Sequence, residues 1–197
     1  MVELALLRHA PTSWNREQRL QGRQDVPLGP EGASVVRAWR LPPGLAGHRW
    51  FVSPLKRCRE TARLLGVEST IEPRLIEAGW GEWEGQRLRE LRRRLGPEVQ
   101  SRERAGRDFR PPGGESPRDV IERVGPFLAE LAAAGRPAAG VTHKGVITAI
   151  YALATGWDYL RPLPDRLDFT CVQLFRLAPD GTPAVLRLNR PLDGMSP

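Results

Sequence analysis

Short apolar runs stopped by polar turns alternate along this chain with stretches of helical spacing. The first run, Val2 to Leu7, carries a single charge at Glu3 and delivers Arg8 and His9 into a turn containing Pro11, which predicts a buried parallel strand. Trp50-Phe51-Val52 and Ala138 to Gly140 follow the same plan of apolar run, polar turn and helix, with turns that read Ser53-Pro54-Leu55-Lys56-Arg57 and Val141-Thr142-His143-Lys144-Gly145. Helices are predicted from Pro30 to about Arg40, between Gly29-Pro30-Glu31-Gly32 and Pro42-Pro43-Gly44, and from about Leu55 to Leu65. Another starts at Ser116-Pro117-Arg118-Asp119, carries the stripe Val120, Val124, Phe127, Leu128, Leu131, and closes at Gly135-Arg136-Pro137. Thr170 to Leu177 and Ala184 to Leu188 alternate as two strands around the turn Pro179-Asp180-Gly181-Thr182, and an irregular tail follows from Arg190. This order predicts an α/β fold: a three-layer α/β/α sandwich around a mostly parallel central sheet, with an antiparallel strand at its edge.

With 197 residues the chain reads as one domain, 1–197, able to bury roughly 70% of its unfolded surface. It shows no repeat and no linker. Cys58 and Cys171 stand far apart and outside any CxxC, so neither a disulfide framework nor a zinc site is expected. No Lys/Arg-led apolar leader opens the sequence, and no apolar run reaches the roughly 18 residues of a membrane span. A cytoplasmic location with no membrane partner is therefore expected.

The net charge of +7 is unevenly spread, because residues 86–110 hold nine arginines against Glu90, Glu98, Glu103 and Asp108, leaving +5 there. Leu88, Leu91 and Leu95 recur at helical spacing between those arginines, which predicts an amphipathic cap segment with either a solvated basic face or an anion-attracting one. Nucleic acid is not the expected partner. Phe109 is the one aromatic in the segment, and strand binding interleaves several for bases to stack on. A small anionic, phosphorylated substrate fits the charge as well and suits the polar turns better. Oligomeric state is unreadable.

Open parallel sheets place ligand groups beyond the carboxyl ends of their strands. Three such ends side by side would gather Arg8, His9, Arg57 and His143. The Gly- and Trp-rich loop from Leu75 to Gly85 would add Glu77. Phosphoryl transfer needs an in-line nucleophile, cations around the non-bridging oxygens and a proton for the leaving group. A neutral imidazole at His9 supplies the nucleophile, the planar forks of Arg8 and Arg57 suit phosphate oxygens, and His143 adds a further contact. Glu77, with its pKa raised by surrounding Trp80 and Trp83, would serve as acid and then as base. A lone histidine or arginine is ordinarily structural, as His48 in its Gly/Pro-rich loop is read to be. The succession of all three polar turns is what packing alone rarely produces. No GxGxxG follows the first strand and no GxxxxGK[ST] occurs anywhere, so dinucleotide and P-loop readings lose their motif.

These pieces resemble the histidine phosphatase superfamily, in its phosphoglycerate mutase-like branch 1. They are Leu7-Arg8-His9-Ala10, Arg19-Leu20-Gln21-Gly22-Arg23, Ser53-Pro54-Leu55-Lys56-Arg57, Glu77 with Gly81-Glu82-Trp83-Glu84-Gly85, Pro112-Gly113-Gly114-Glu115-Ser116 and Thr142-His143-Lys144-Gly145. The resemblance spans nearly the whole chain. It implies a phosphoglycerate mutase-like fold and a phosphohistidine mechanism without metal or other cofactor. His9 would be the nucleophile, Arg8, Arg57 and His143 the phosphate pocket, and Glu77 the acid/base. Asn15, Gln21 and Gly22 match pocket-lining positions. Two departures stand out: Ala10-Pro11 replaces the usual Gly and polar residue after the nucleophile, and Lys144 replaces a common Gly, adding a cation beside the phosphate site or merely facing solvent. Ala78, Gly79 and Trp80 follow the acid where mutases tend to carry Arg and Tyr for a substrate carboxylate. The expected activity is therefore hydrolysis of a small phosphomonoester, similar to the broad-specificity and α-ribazole phosphatases. The alternatives are phosphoglycerate mutase activity or non-catalytic binding of phosphorylated ligands.

Overall fold

The computed structural model describes residues 1–192, the side chain of Arg102 excepted. A six-stranded sheet runs through it. Its strands in chain order are β1 (Val2–Arg8), β2 (Arg49–Val52), β3 (Ser69–Ile71), β4 (Ala138–Thr142), β5 (Val172–Leu177) and β6 (Pro183–Arg190). In space they lie in the order β3-β2-β4-β1-β5-β6. The first four of these are mutually parallel, and β5 runs antiparallel to both β1 and β6.

The helices are α1 (Ser13–Arg16), α2 (Gly29–Ala38), α3 (Lys56–Leu64), α4 (Leu88–Glu103), α5 (Pro117–Ala134) and α6 (Lys144–Thr155). Alternation along each strand assigns them to faces, since successive side chains point to opposite sides of the sheet. Leu4, Leu6, Phe51 and Phe175 pack with Val124 and Phe127 of α5 and Ile147 and Ile150 of α6. Ala5, Leu7, Trp50, Val52 and Leu174 pack instead with Val36 of α2 and with Cys58 and Ala62 of α3. Two apolar cores separated by one sheet make the three layers, as the pattern of the sequence predicts.

Local signals set the helix ends. Ser116 caps α5 by accepting from the Asp119 amide, Asp119 returns a bond to the Ser116 amide, Pro117 occupies the first turn, and Gly135 ends the helix with φ 67°. α2 stops at Ala38, short of the expected Arg40, because Trp39 turns extended and sinks into the second core. The basic segment forms α4, but helical geometry is broken at Gly96, just before Pro97, whose ring cannot donate to the preceding turn. β3 went unforeseen: it is a three-residue edge strand in which Thr70 and Ile71 stay exposed, so no apolar run marks it. β6 extends through Arg190, and residues 193–197 of the expected tail lie outside the described residues. No helix of the described residues is long and apolar enough to cross a membrane.

Register then brings the polar turns together. Arg8 pairs with Thr142 across β1 and β4, and Val52 pairs with Val141 across β2 and β4. The His9 amide donates to Thr142 O at 2.9 Å, and the Ser53 amide to Val141 O at 3.1 Å. His9, Ser53 and His143 thus leave three neighbouring strands at one level.

Candidate active site

A cavity of about 430 Å³ opens above those strand ends, within the usual size of small-molecule sites. Arg8, His9, Asn15, Gln21, Gly22, Arg57, Glu77 and Lys144 all lie on its wall. His143 does not. It is fully buried, 5.2 Å from His9 between ring centroids in an edge-on arrangement, with Nε2 2.7 Å from Ser53 Oγ and 3.3 Å from Cys58 Sγ.

His9 is 5% exposed, and its Nδ1 donates to its neighbour's carbonyl, Ala10 O, at 2.7 Å. A neutral ring with its proton on Nδ1 carries a lone pair on Nε2. Burial first, and then the nearby cations of Arg8 and Arg57, push the His9 pKa well below the ordinary imidazole range. Burial, with His9 and the same two arginines, does likewise to His143. Both rings are neutral near pH 7. The Cys58 thiol is pushed strongly upward by burial and is no nucleophile.

Arg57 has no exposed surface, yet two of its nitrogens are occupied: Nη1 donates to Gln24 O and Nη2 to Gly22 O, each at 2.8 Å. Its Nε, like Arg8 Nε, is buried with no hydrogen-bond partner among the described residues. An unpaired buried donor costs about 1–3 kcal/mol, and more when charged. Two such donors on one cavity wall make a site that an anion would relieve.

The neighbouring amides are oriented the same way. Asn15 Oδ1 accepts from the Thr12 amide at 2.9 Å, and Gln21 Oε1 lies 3.1 Å from the Thr12 hydroxyl, so each side chain keeps its NH₂ group for a ligand. Gly22 is required where it stands. Its φ is +51°, and a Cβ there would fall 2.0 Å from Glu84 Oε1. Glu84 in turn accepts from the amides of Arg23 and Trp80, tying the loop after α1 to the loop that carries Glu77.

Glu77 is held from several sides. Arg123 of α5 donates to Arg74 O and Ile76 O, Thr142 Oγ1 donates to Leu75 O at 2.8 Å, and Glu115 accepts from the Gly79 amide. Its Oε1 receives the amides of Ala78 at 2.9 Å and Gly145 at 3.1 Å. Among the described residues, Oε2 is reached only by the same Gly145 amide at 3.5 Å, which leaves it the oxygen able to carry a proton. Burial raises the Glu77 pKa, opposed by the Ala78 amide and by Arg57 and Arg8. The amide of Gly145, at the start of α6, is therefore engaged by the Glu77 carboxyl. The two tryptophans divide: Trp80 is on the cavity wall, whereas Trp83 is buried with Leu91 and Val99 in a third core. Lys144 keeps its ammonium 5.3 Å from the Phe169 ring, and burial together with Arg8 lowers its pKa.

Several wall residues have no motif to announce them. Thr148 lies one helical turn past Lys144, a spacing that could have found it. Leu88 and Phe109 are the cap's contributions among the described residues, while Arg89, Arg92, Arg93 and Arg94 are exposed and line nothing in the cavity. The basic face of the cap is a solvated one.

Comparison with known proteins identifies the family and the fold. The family model described as histidine phosphatase superfamily (branch 1) matches residues 4–191. A glucosyl-3-phosphoglycerate phosphatase of Mycolicibacterium vanbaalenii is 33% identical over 172 residues, 78% of this chain and 74% of that protein. A 2,3-bisphosphoglycerate-dependent phosphoglycerate mutase 2 of Gloeobacter violaceus is also 33% identical, over 62% of this chain and 60% of its own length. The crystal structure of the alpha-ribazole phosphatase from Shigella flexneri covers the whole of both chains with TM-score 0.80 at 23% identity, a likeness of fold, and that fold is phosphoglycerate mutase-like. With its Arg-His strand end, its second arginine and its acid gathered on one cavity, the chain belongs to branch 1 of the histidine phosphatase superfamily, a family of phosphatases and mutases.

Proposed function

We propose that this protein hydrolyses small phosphomonoesters through a phosphohistidine on His9, with no metal taking part. The observation that carries the reading is the His9 ring. Its Nδ1 is committed to Ala10 O, which leaves Nε2 as a nucleophile beside two guanidinium groups with unpartnered Nε atoms.

In the first step the Nε2 lone pair attacks phosphorus and the bond from phosphorus to the ester oxygen breaks. Charge on the non-bridging oxygens meets Arg8 and Arg57, with Asn15, Gln21 and Lys144 as further donors. These cations fill the part a metal plays elsewhere in phosphoryl transfer. Glu77 Oε2 gives its proton to the departing alkoxide, so the product leaves as an alcohol. The resulting carboxylate takes a proton from water as that water attacks the phosphohistidine, which restores His9 and releases inorganic phosphate. His143, neutral and behind His9, contributes by orienting the nucleophile's ring and keeping a second positive charge away from it. Ala78, Gly79 and Trp80 follow Glu77, so no arginine stands directly after it for a substrate carboxylate, and Arg19, the further arginine on the cavity wall, is held by Glu17 and Gly85 O, which favours the hydrolase over the mutase.

Phosphate release from a panel of phosphomonoesters in EDTA, wild type beside His9→Ala, tests this. Turnover confined to the wild type is the expected result. Isomerisation of 3-phosphoglycerate without phosphate release would assign a mutase instead.

A further inference from the structure

Above the charged floor the cavity changes character. Its outer wall is built from Leu20, Trp80, Leu88, Phe109, Val120 and Tyr159. Trp80 and Phe109 meet edge-on with ring centroids 5.8 Å apart. Tyr159 stacks on Trp157 at 4.1 Å while still facing the cavity, and its backbone sits at φ 66°, a region that bulky side chains rarely adopt. That placement is enforced from the cap: Arg107 grips Trp157 O through Nε at 3.0 Å and Nη2 at 2.6 Å. Gly106, at φ 57°, lets the two loops close, since a Cβ there would lie 2.7 Å from Asp158 O.

The charged groups of this outer region are already spoken for. Arg19 donates to Glu17 at 2.6 Å and to Gly85 O at 2.9 Å, and Glu115 is paired with Arg23 and Arg123. None of the cap's described arginine side chains reaches the cavity. Apart from Lys144, which serves the phosphate site, a leaving group with its own carboxylate or second phosphate would meet on this wall, among the described residues, only Arg19, already held by Glu17 and Gly85 O. A flat apolar ring would find three aromatic side chains.

We propose, on the basis of the hydrolase reading above, that the leaving group of the natural substrate carries an uncharged aromatic ring, selected by Trp80, Phe109 and Tyr159. The ring sits against this wall while its ester phosphate reaches His9. Phosphoryl transfer and hydrolysis proceed as above, with the ring-bearing alcohol leaving after it takes the proton of Glu77.

The test compares 2-phenylethyl phosphate with ethyl phosphate, two esters of primary alcohols that differ in the ring. The expected kcat/KM ratio is about tenfold or more in favour of the ring, the discrimination that burying several apolar carbons provides. Phe109→Leu and Tyr159→Leu should each pull that ratio toward one. As Phe109 also packs on Trp83, inhibition of the wild type by 2-phenylethylphosphonate against ethylphosphonate gives the same readout without a variant, and the aryl compound should bind more tightly. Equal kcat/KM for the two esters, or equal inhibition by the two phosphonates, would overturn the ring-bearing substrate and leave the hydrolase reading standing. A ratio unchanged in both variants would overturn the assignment of the selecting residues. No phosphate release from either ester or from any other phosphomonoester would bring down the hydrolase reading itself and this inference with it.

Discussion

The floor of the cavity and its outer wall are held by different means. Arg8, His9 and Arg57 stand within a few residues of strand ends whose register is fixed by backbone hydrogen bonds, and their polar atoms are constrained by carbonyls such as Ala10 O, Gly22 O and Gln24 O. Leu88, Phe109 and Tyr159 come instead from a helix broken at Gly96 and from two loops clasped by Arg107, with ring packing as their main constraint. Backbone-level constraint suits a reaction that tolerates little displacement of nucleophile and donors. Packing-level constraint can be rewritten by a few apolar substitutions, which suits the part of the site that chooses among substrates.

The sharpest contrast lies in the nucleophile. His9→Ala should reduce phosphate release by at least about a thousandfold in kcat, since loss of a nucleophile removes the covalent route altogether. A steady-state assay with any accepted ester reads this, and residual turnover within tenfold of wild type would remove His9 from the role, by the about 1.4 kcal/mol per decade that separates the two outcomes. The two arginines should then separate from each other. Arg8→Gln and Arg57→Gln should each cost about 10²–10³ in kcat/KM, as for loss of one preorganised donor. Thermal melting should distinguish them, because Arg57 also holds Gln24 O and Gly22 O while Arg8 Nε has no hydrogen-bond partner among the described residues. A lower melting temperature for Arg57→Gln than for Arg8→Gln is expected.

A smaller effect probes the acid. In Gly145→Ala the new Cβ would lie 2.4 Å from Glu77 Oε1, so the carboxyl must move although alanine suits the helix. The expected loss is roughly tenfold or more in kcat, the order of a general-acid contribution partly forfeited. Equal kcat values for variant and wild type would show that the placement of Oε1 is not needed.

The pH profile follows from the two shifts. His9 must be neutral to attack, and its pKa is depressed, so kcat/KM should fall on the acid side only well below pH ~6.5. Glu77 must be protonated to donate, and its pKa is raised, so the alkaline limb should lie above the ordinary carboxylate value of about 4.3 and disappear in Glu77→Gln. Stability has its own dependence. His9 and His143 are both depressed, so the unfolded chain takes up protons first as pH falls below about 6.5, and the melting temperature should decline from there toward the folded-state values. The least effect belongs to the outward face of the cap. The double variant Arg89→Ser, Arg93→Ser should change kcat/KM by less than about twofold, as expected of solvated charges. A large fall would mean that the basic face steers substrate.

What the sequence disclosed follows the same division. Arg8, His9 and Arg57 were legible because polar turns that follow buried strands contradict their surroundings and register carries such ends to one level, and Glu77 because it stands in a Gly- and Trp-rich loop between two of those turns. The order of elements was legible from Gly/Pro punctuation and alternation. Leu88, Leu91 and Leu95 were visible as one stripe, yet Leu88 faces the cavity and Leu91 the third core, a separation that depends on where the helix docks. Trp80 and Trp83 had the same local composition around them and went to different places for the same reason. Tyr159 could not be foreseen, since its position rests on a positive φ and on its stacking against Trp157, whose carbonyl is held by Arg107 fifty residues away in the chain's order, and neither leaves a periodic mark.

The central claim is that the phosphoryl group passes through His9. Mixing the protein with an accepted phosphomonoester, quenching within a turnover in alkali, where phosphohistidine survives, and mapping modified peptides by mass tests it most directly. The account predicts one phosphoryl group on His9, formed and lost at rates that support turnover and absent from His9→Ala. Phosphate release at the full rate with an unmodified His9, or with the phosphoryl group on another residue, would contradict it.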